Sequence, residues 1–332
     1  MKIINVILSG GVGSRLWPLS RKSRPKQYIP IFDNQSLFQK TVFRNEGFCD
    51  QIMVVGNKDN YSLSNADLLS LGIQDYDEII ESCPRNTAAA IAFAAFSSEP
   101  DDILFVTPSD HLIENRDVYL NNVLKAIKLA KDGYLVTFGI LPSRVETGYG
   151  YIEYQGEHVI SFREKPDLEI ASDFVKSGNF LWNSGMFCFK ASAYLEELKL
   201  HAPQVFETSF NAFRKKVNNF LPEIETMEIP SISVDYAVME KTRKIKVIPS
   251  SFEWSDMGSF ESIYQYLKSK GHPTDENGNM GIGIDIHLEF VGLRDTIFVY
   301  TKDAFLILNK NESQKIKQVF EKLEKESPSL VS

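Results

Sequence analysis

The sequence predicts an α/β protein with a Rossmann-like, mostly parallel sheet and a small C-terminal β domain. Three observations support this prediction: apolar strand-like runs alternate with helical segments, the first run stops at a glycine-rich turn, and polar motifs recur where strands end. A repeated strand-helix order implies parallel strands joined by crossover helices. Ligands of such sheets bind at the carboxyl ends of the strands, so the polar motifs are the candidate site.

The first third of the chain supplies the core of the predicted sheet. Met1–Leu8 (MKIINVIL) is apolar and β-branched, which is typical of a buried first strand. Further strands are predicted at Gln51–Gly56, Glu78–Glu81 and Ile103–Thr107, and helices at Gln35–Phe48, Tyr61–Leu71 and Thr87–Phe96.

The middle of the chain continues the alternation as far as residue 270. A turn at Glu146–Ile152 is expected to lead into a strand, and Ala191–Phe220 to hold helices. Strands are also predicted at Tyr134–Gly139, Val159–Arg163 and Lys244–Pro249, and helices at Val118–Lys131 and Asp167–Lys176.

The composition changes after Gly271. His272–Gly283 is rich in Gly, Asn, Asp and Pro, which is typical of a linker. Asp285–Leu308 has the pattern of short strands separated by turns, and Glu312–Lys325 that of a closing helix. We therefore predict a large domain over residues 1–270 and a small β domain over residues 271–332.

Bulk properties exclude several classes of protein. The formal net charge of −8 argues against a nucleic-acid-binding protein, which usually carries a basic face. No apolar run approaches the roughly 20 residues of a membrane span, and the N-terminus has the pattern of a strand, not of a signal peptide. The three cysteines, Cys49, Cys83 and Cys188, form no CxxC motif, which favours a reducing, cytoplasmic setting.

Residues 8–28 read LSGGVGSRLWPLSRKSRPKQY. Glycines after a strand allow backbone N–H groups to approach phosphates, and Arg15 and Lys26 add positive charge. The run matches neither GxxxxGK[ST] nor GxGxxG, because Leu16 stands where the last glycine would come. GGVG alone would favour an ordinary strand-to-helix turn with surface cations over a phosphate-binding loop.

The longer string GGxGSRLWPLSRxxxPKQ resembles the signature of the sugar-nucleotide pyrophosphorylases, in particular the mannose-1-phosphate guanylyltransferases. The resemblance covers the chain from the first strand to the final helix. Within the family, the chain resembles the short form that has a single activity. It implies a glycosyltransferase-A-like nucleotidyltransferase domain over 1–270. It also implies a left-handed β-helix-like domain with a terminal helix over 271–332, which serves packing or dimerisation in a cytoplasmic homodimer.

The resemblance also implies a reaction: GTP and α-D-mannose 1-phosphate give GDP-mannose and diphosphate by in-line attack on the α-phosphorus. Both reactants are anions, so the protein must supply positive charge and a metal ion. In the family, the aspartates of the PSDH and WSDxGS motifs share Mg2+; these are Asp110 and Asp256 here. Singly, each would be a turn former or a helix cap.

The FREKP string implies a sugar contact at Glu164 and a catalytic phosphate contact at Lys165. The family more often has Val in place of Arg163. Strand alternation puts Arg163 opposite Glu164 and on the side of Lys165, unless the strand ends between them. The alternative interpretation of this motif is a solvated Glu-Lys pair.

The remaining expected sugar-binding residues are Gly148, Asn183 and Asp235, from the GYG, NSG and SVDYA strings. Gly148 could instead form only a turn, and Asn183 could serve the backbone. The turn Arg85–Thr87 lies where the family reads the base, although Thr87 could merely be the N-cap of the next helix. The nucleotide-binding set implied by the resemblance is Leu8, Ser9, Gly10, Gly11, Gly13, Ser14, Arg15, Lys26, Arg85, Asn86, Thr87, Ser109 and Asp110, with Arg15, Lys26 and Lys165 as catalytic residues.

Two rival functions stay open from the sequence. One is a sister enzyme that joins another base or sugar, such as dTTP or UTP with glucose 1-phosphate. The other is a catalytically silent homologue that binds a nucleotide sugar and a partner protein. The strings LWPLSR and WNSGMF favour the mannose branch, and retention of the charged motif residues argues against a silent protein.

Overall fold

The computed structural model describes residues 1–284 and 286–332, so the start of the predicted strand region at Asp285 lies outside the described residues. The chain divides into two compact units. The first unit comprises residues 1–10, 41–109 and 113–254, and the second comprises residues 11–40, 110–112 and 255–332. The domain boundary at residue 270 and the β-helix-like character of the tail stay predictions.

The first unit is built on a nine-stranded sheet with the order β3-β2-β1-β4-β9-β6-β10-β8-β7. Its strands are β1 (Ile3–Leu8), β2 (Gln51–Asn57), β3 (Asp77–Glu81), β4 (Ile103–Pro108), β6 (Leu135–Ile140), β7 (Tyr151–Gln155), β8 (His158–Arg163), β9 (Phe180–Lys190) and β10 (Ile245–Ser250). Two short strands, β5 (Leu112–Ile113) and β11 (Trp254–Ser255), lie where the chain passes between the units.

The predicted parallel core is confirmed for β1 to β4. Strand β1 pairs in parallel with β2 on one side and β4 on the other, with Leu8 opposite both Val55 and Pro108. Strand β9 then runs antiparallel to β4 and β6, which makes the sheet mixed. The carboxyl ends of β1, β2 and β4 therefore reach the same edge of the sheet.

Helices cover the sheet of the first unit. Ala88–Ala95, in the alanine-rich helix, is buried throughout, because small side chains let a helix pack closely with apolar neighbours. The helices predicted over Ala191–Phe220 are confirmed as two, and Pro203 begins the second of them, since proline suits a first helical turn. The helices in chain order are α1 (Leu37–Asn45), α2 (Tyr61–Ser70), α3 (Asn86–Phe96), α4 (Arg116–Lys131), α5 (Leu168–Ser177), α6 (Ala191–His201), α7 (Pro203–Arg214) and α8 (Glu223–Met227).

The second unit has its own apolar core and a small sheet. Its elements are α9 (Phe260–Ser269), β12 (Met280–Ile282), β13 (Thr296–Tyr300), β14 (Phe305–Asn309) and α10 (Ile316–Glu326). Strand β12 pairs in parallel with β13, and β13 pairs antiparallel with β14. The linker prediction was wrong at β12, because Met280 and Ile282 are buried in this core. Helix α9 was not predicted.

Asn279 explains why a segment rich in Asn and Asp is ordered. Its side-chain amide donates to Asp275 Oδ2 at 2.7 Å, and its carbonyl oxygen accepts the Thr296 backbone N–H at 2.9 Å. The polar turn ahead of β12 is therefore hydrogen-bonded to the first residue of β13 and does not behave as a simple linker. Across the described residues, 1–284 and 286–332, no helix is long and apolar enough to cross a membrane.

Candidate functional site

Three predicted nucleotide-binding residues lie where parallel strands of the first unit end. The Ser9 backbone N–H donates to the Val55 carbonyl at 2.8 Å, and the Ser109 N–H donates to the Leu8 carbonyl at 3.1 Å. Ser9 and Ser109 are both buried. The structure thus brings Leu8, Ser9 and Ser109 together at the carboxyl edge, as the strand order requires.

The turn after β3 carries Arg85, Asn86 and Thr87. Asn86 has a positive φ of 69° and begins helix α3, so the N-cap alternative for Thr87 is wrong. The Thr87 hydroxyl oxygen accepts the Val234 backbone N–H at 2.9 Å. Arg85 Nε donates to the Ile229 carbonyl at 2.6 Å. Both side chains therefore contact the segment 229–234.

Glu81 is a candidate functional residue that the motif analysis missed. Its side chain is 7% exposed, and its carboxylate accepts the Arg85 backbone N–H. The other oxygen, Oε1, has no hydrogen-bond partner among the residues that the structure describes. Burial raises the pKa of Glu81 to about 7, against the opposing effect of the Arg85 N–H. An acid ending a buried strand (DEIIE) was the available signal, because such groups need partners.

Asn183 is the centre of a polar cluster in the first unit. Its amide Nδ2 donates to Asp235 Oδ1 at 2.9 Å, while its Oδ1 accepts from the Thr137 hydroxyl and the Gly185 N–H. The backbone-serving interpretation of Asn183 is confirmed by its contact with the Gly185 N–H, and its sugar contact stays a prediction. The amide orients Asp235, and Thr137 and Gly185 orient the amide.

Gly150, not Gly148, lies against this cluster. A Cβ on Gly150 would lie 2.6 Å from Glu164 Oε2 and 3.5 Å from Asn183 Cβ. Gly148 is exposed, and a Cβ there would meet only the Glu146 carboxyl group within 4 Å. The GYG string therefore contains two glycines with different surroundings, and sequence alone gave no means to choose the second.

Strand β8 ends before it reaches Lys165, so strand alternation does not decide where the lysine points. The last residue of the strand is Arg163, which is exposed, and Lys165 has a positive φ of 44°. Lys165 Nζ lies 2.6 Å from Glu164 Oε1, with side-chain exposures of 62% and 13%. A positive φ in a residue other than glycine is uncommon and is concentrated at functional sites.

Two carboxylates of like charge are close in this cluster. Burial raises the pKa of Asp235 to about 6, and the nearby Glu164 charge adds to the rise, against the hydrogen bond from Asn183. Burial and Glu164 also raise the pKa of Glu240. Asp235 therefore changes charge close to the neutral range.

The glycine loop in the second unit packs on Lys26. Gly11 and Gly13 have φ values of 84° and 73°, and a single tight turn, Ser14–Leu16, follows. A Cβ on Gly13 would lie 2.7 Å from Lys26 Cβ, so this glycine permits the close approach of the lysine. The Gly13 carbonyl accepts the Ser20 hydroxyl at 2.6 Å, and Arg15 is exposed.

Lys26 joins the two aspartate turns of the second unit. Its ammonium lies 2.9 Å from Asp110 Oδ2 and donates to the Asp256 backbone carbonyl at 2.7 Å. Burial acts to raise the pKa of Asp110, but Lys26, followed by His111, outweighs it and leaves the pKa lowered. Asp256 Oδ1 accepts the Gly258 N–H at 3.2 Å, which directs this carboxylate within its own turn.

These turns offer hard oxygen ligands in small number. In the described ranges, 1–284 and 286–332, no group of three or more His, Cys, Asp or Glu could hold a metal ion by itself. Asp110 and Asp256 each bring one carboxylate to these turns, and the Mg2+ expected between them stays a prediction.

A model of one family, described as nucleotidyl transferase, matches residues 4–270. This chain belongs to the nucleotidyl transferase family. The resemblance to the sugar-nucleotide pyrophosphorylases is therefore confirmed, as is the expectation of an enzyme.

Individual relatives indicate which nucleotidyl transferases this chain is similar to. A mannose-1-phosphate guanylyltransferase, RfbM, of Salmonella typhimurium is 37% identical over 98% of this chain and 73% of its own length. A Thermus thermophilus crystal structure, described as a mannose-1-phosphate geranyltransferase, is 25% identical with a TM-score of 0.83. It covers 98% of this chain and 100% of its own.

A third similar protein bears a different name. A Helicobacter pylori crystal structure described as mannose-6-phosphate isomerase is 38% identical, with a TM-score of 0.70, over 77% of this chain and 100% of its own. The three descriptions share mannose phosphates as the compounds named. The family and the guanylyltransferase relative together imply a nucleotide and a sugar phosphate as substrates.

Proposed function

We propose that this nucleotidyltransferase joins GTP to mannose 1-phosphate, releasing diphosphate and GDP-mannose. The observation that carries the proposal is the contact of one ammonium, Lys26, with both aspartate turns of the second unit. Similarity to a mannose-1-phosphate guanylyltransferase over 98% of the chain supports the choice of sugar and base.

The second unit supplies the charges for phosphates. Lys26 and Arg15 are proposed to contact the nucleotide phosphates, beside backbone N–H groups of the glycine loop. Asp110 and Asp256 would hold Mg2+, and the lowered pKa of Asp110 keeps that carboxylate ionised and ready for a cation. The bound ion would neutralise charge on the phosphate oxygens.

The cluster of the first unit is proposed to bind the sugar phosphate. Glu164 and Asp235 would accept hydrogen bonds from sugar hydroxyls, with Asn183 fixing Asp235 in place. Lys165 would leave Glu164 for the sugar phosphate, since its exposed side chain can turn to an anion. No covalent enzyme intermediate is needed, because the attacking group is already an anionic phosphate.

Glu81 is proposed to favour guanine. The Watson–Crick edge of guanine presents two adjacent N–H donors, whereas uracil and thymine present one. When ionised, the Glu81 carboxylate accepts hydrogen bonds only, and its Oε1 is buried beside the Arg85 turn. A buried acceptor that a wrong base leaves unpaired can reject that base strongly.

The test is a matrix of nucleotides and sugar phosphates with release of diphosphate as the readout. GTP with mannose 1-phosphate is expected to give the highest kcat/KM. Preference for dTTP or UTP with glucose 1-phosphate would favour the sister enzyme instead. Tight nucleotide-sugar binding without turnover would favour the silent homologue.

Mannose 6-phosphate belongs in the same assay because of the name of the Helicobacter pylori relative. Its conversion to fructose 6-phosphate, without turnover of GTP, would overturn the proposal. Mg2+ dependence is measured by adding metal back to chelator-treated protein. The expected homodimer is tested by light scattering of the purified protein.

A further inference from the structure

The segment 229–234 is held by the beginning of helix α3. Arg85 Nε donates to the Ile229 carbonyl at 2.6 Å, and the Ala88 N–H donates to the Ile232 carbonyl at 3.3 Å. The Val234 N–H donates to the Thr87 hydroxyl at 2.9 Å. Ile229 and Val234 are buried, so these polar groups have little access to water.

Asp235 follows directly after this segment. Asp235 begins one π-helical turn, closed by the Glu240 N–H donating to the Asp235 carbonyl at 3.0 Å. The Asp235 carboxylate is held by Asn183 Nδ2 at 2.9 Å. Asp235 is thus fixed at its side chain by Asn183 and at the preceding backbone N–H by Thr87.

We propose that Thr87 is a positioning residue for the sugar-phosphate site, acting through Val234 on Asp235, and that Arg85 supports it. The inference rests on the proposed function and changes one part of it. The two side chains expected to read the base instead hold the segment that carries a sugar-side carboxylate.

The hydroxyl group of Thr87 can be removed with little other disturbance. The carbonyl of Ala88 accepts the Tyr194 hydroxyl at 2.8 Å, so a second contact keeps the first turn of α3 in place. Valine has nearly the shape of threonine but cannot accept a hydrogen bond, which would leave the buried Val234 N–H unpaired. Serine keeps the oxygen and is the matched control.

The experiment compares Thr87→Val and Thr87→Ser with the unaltered protein. For Thr87→Val, KM for mannose 1-phosphate should rise about 10-fold, with KM for GTP changed by less than about 2-fold. Thr87→Ser should restore most of the loss. Hydrogen exchange of the Val234 amide, measured without substrates, should become faster in Thr87→Val and stay slow in Thr87→Ser.

Several results would overturn the inference. One is a rise in KM for GTP, or relaxed base preference, with KM for mannose 1-phosphate unchanged; Thr87 would then be a base contact. Unchanged exchange of the Val234 amide in Thr87→Val is another. If Thr87→Val does not fold, Arg85→Gln is measured in the same way and must show the same split between the substrates.

The unaltered protein separates this inference from the proposed function. If it fails to use GTP with mannose 1-phosphate, the proposed function is wrong. The KM values of the variants are then compared for the nucleotide and the sugar phosphate that the matrix identifies. If it uses that pair but the variants show no effect on the sugar phosphate, only the positioning role is wrong.

Discussion

The two units treat half-buried carboxylates in opposite ways. In the second unit, the Lys26 ammonium lies 2.9 Å from Asp110 and leaves the pKa of that aspartate lowered. In the first unit, burial and the Glu164 charge raise the pKa of Asp235 to about 6. The arrangement at Asp110 keeps the carboxylate ionised and ready for a cation. The arrangement at Asp235 brings the pKa of the carboxyl group closer to neutral pH, which suits contacts with uncharged hydroxyls.

The difference shows that burial and neighbouring charges, and not the motif, set the charge of each aspartate. Asp110 and Asp235 both follow a serine or valine in a short polar string, and both were expected to contact substrate or metal. Only the structure places an ammonium on one and a carboxylate near the other. Substitutions in the two units should therefore have different effects on activity and stability.

The largest effect is expected at the aspartates of the second unit. Asp110→Asn and Asp256→Asn should each lower kcat by on the order of 10²-fold or more and raise the Mg2+ concentration needed, because each would remove one of the two proposed carboxylate ligands. A Mg2+ titration of kcat measures both changes. The double variant should be little worse than the more damaged single variant, since the pair acts as a unit. Independent, multiplicative losses would argue against a shared ion.

Lys165→Ala should lower kcat about 10²-fold, since a charge-assisted phosphate contact would be lost. Arg163→Ala is the matched control, because Arg163 is exposed at the last residue of β8 and should change kcat little. Arg15→Ala should instead affect the use of GTP or departure of diphosphate. Steady-state kinetics with each substrate varied distinguishes these outcomes. Wild-type behaviour of Lys165→Ala would leave Glu164 and Lys165 as a solvated pair.

Gly150→Ala should raise KM for mannose 1-phosphate about 10-fold, because the new Cβ would lie 2.6 Å from Glu164 Oε2 and displace it. The obstructed atom is at the end of a side chain, so Tm should fall little. Gly148→Ala provides the comparison and should have a smaller effect. If Gly148→Ala were the more damaging change, the expected sugar contact at Gly148 would stand and Gly150 would have no special part.

The smallest effect is on stability. Folding lifts the pKa of Asp235 from 3.8 to about 6, so the folded state loses stability as pH rises through that interval and does not regain it above. Asp235→Asn should therefore raise Tm by a few degrees at pH 8, equivalent to about 1–3 kcal/mol, while lowering activity. Thermal unfolding from pH 8 down to pH 5 checks this. A gain in Tm that does not shrink towards pH 5 would contradict the raised pKa.

A Glu164→Gln variant sharpens the same comparison. Removing the neighbouring charge should lower the pKa of Asp235 and reduce the pH dependence of its effect on Tm, although burial keeps part of the rise. This variant holds the shape of Glu164 and changes only its charge.

Strands and motif positions followed from the sequence because they depend on local pattern. Buried β1 and β4 are apolar runs, and the alanine-rich run of α3 indicates a closely packed helix. Strand β12 was missed because so short a strand shows no period. Its burial depends on pairing with β13, a separate strand later in the chain, where Met280 lies opposite Ile297.

The sequence by itself determined the fold class, the family and the strings that carry Arg15, Lys26, Asp110, Lys165 and Asp256, because these are encoded in short, ordered runs. The tertiary structure alone decided which residues meet: Gly150 with Glu164, Thr87 with Val234, and Lys26 with both aspartate turns. The partners in each pair lie on different elements or turns, well apart in the chain. Contacts over such separations depend on how strands and turns pack, and no local pattern records them.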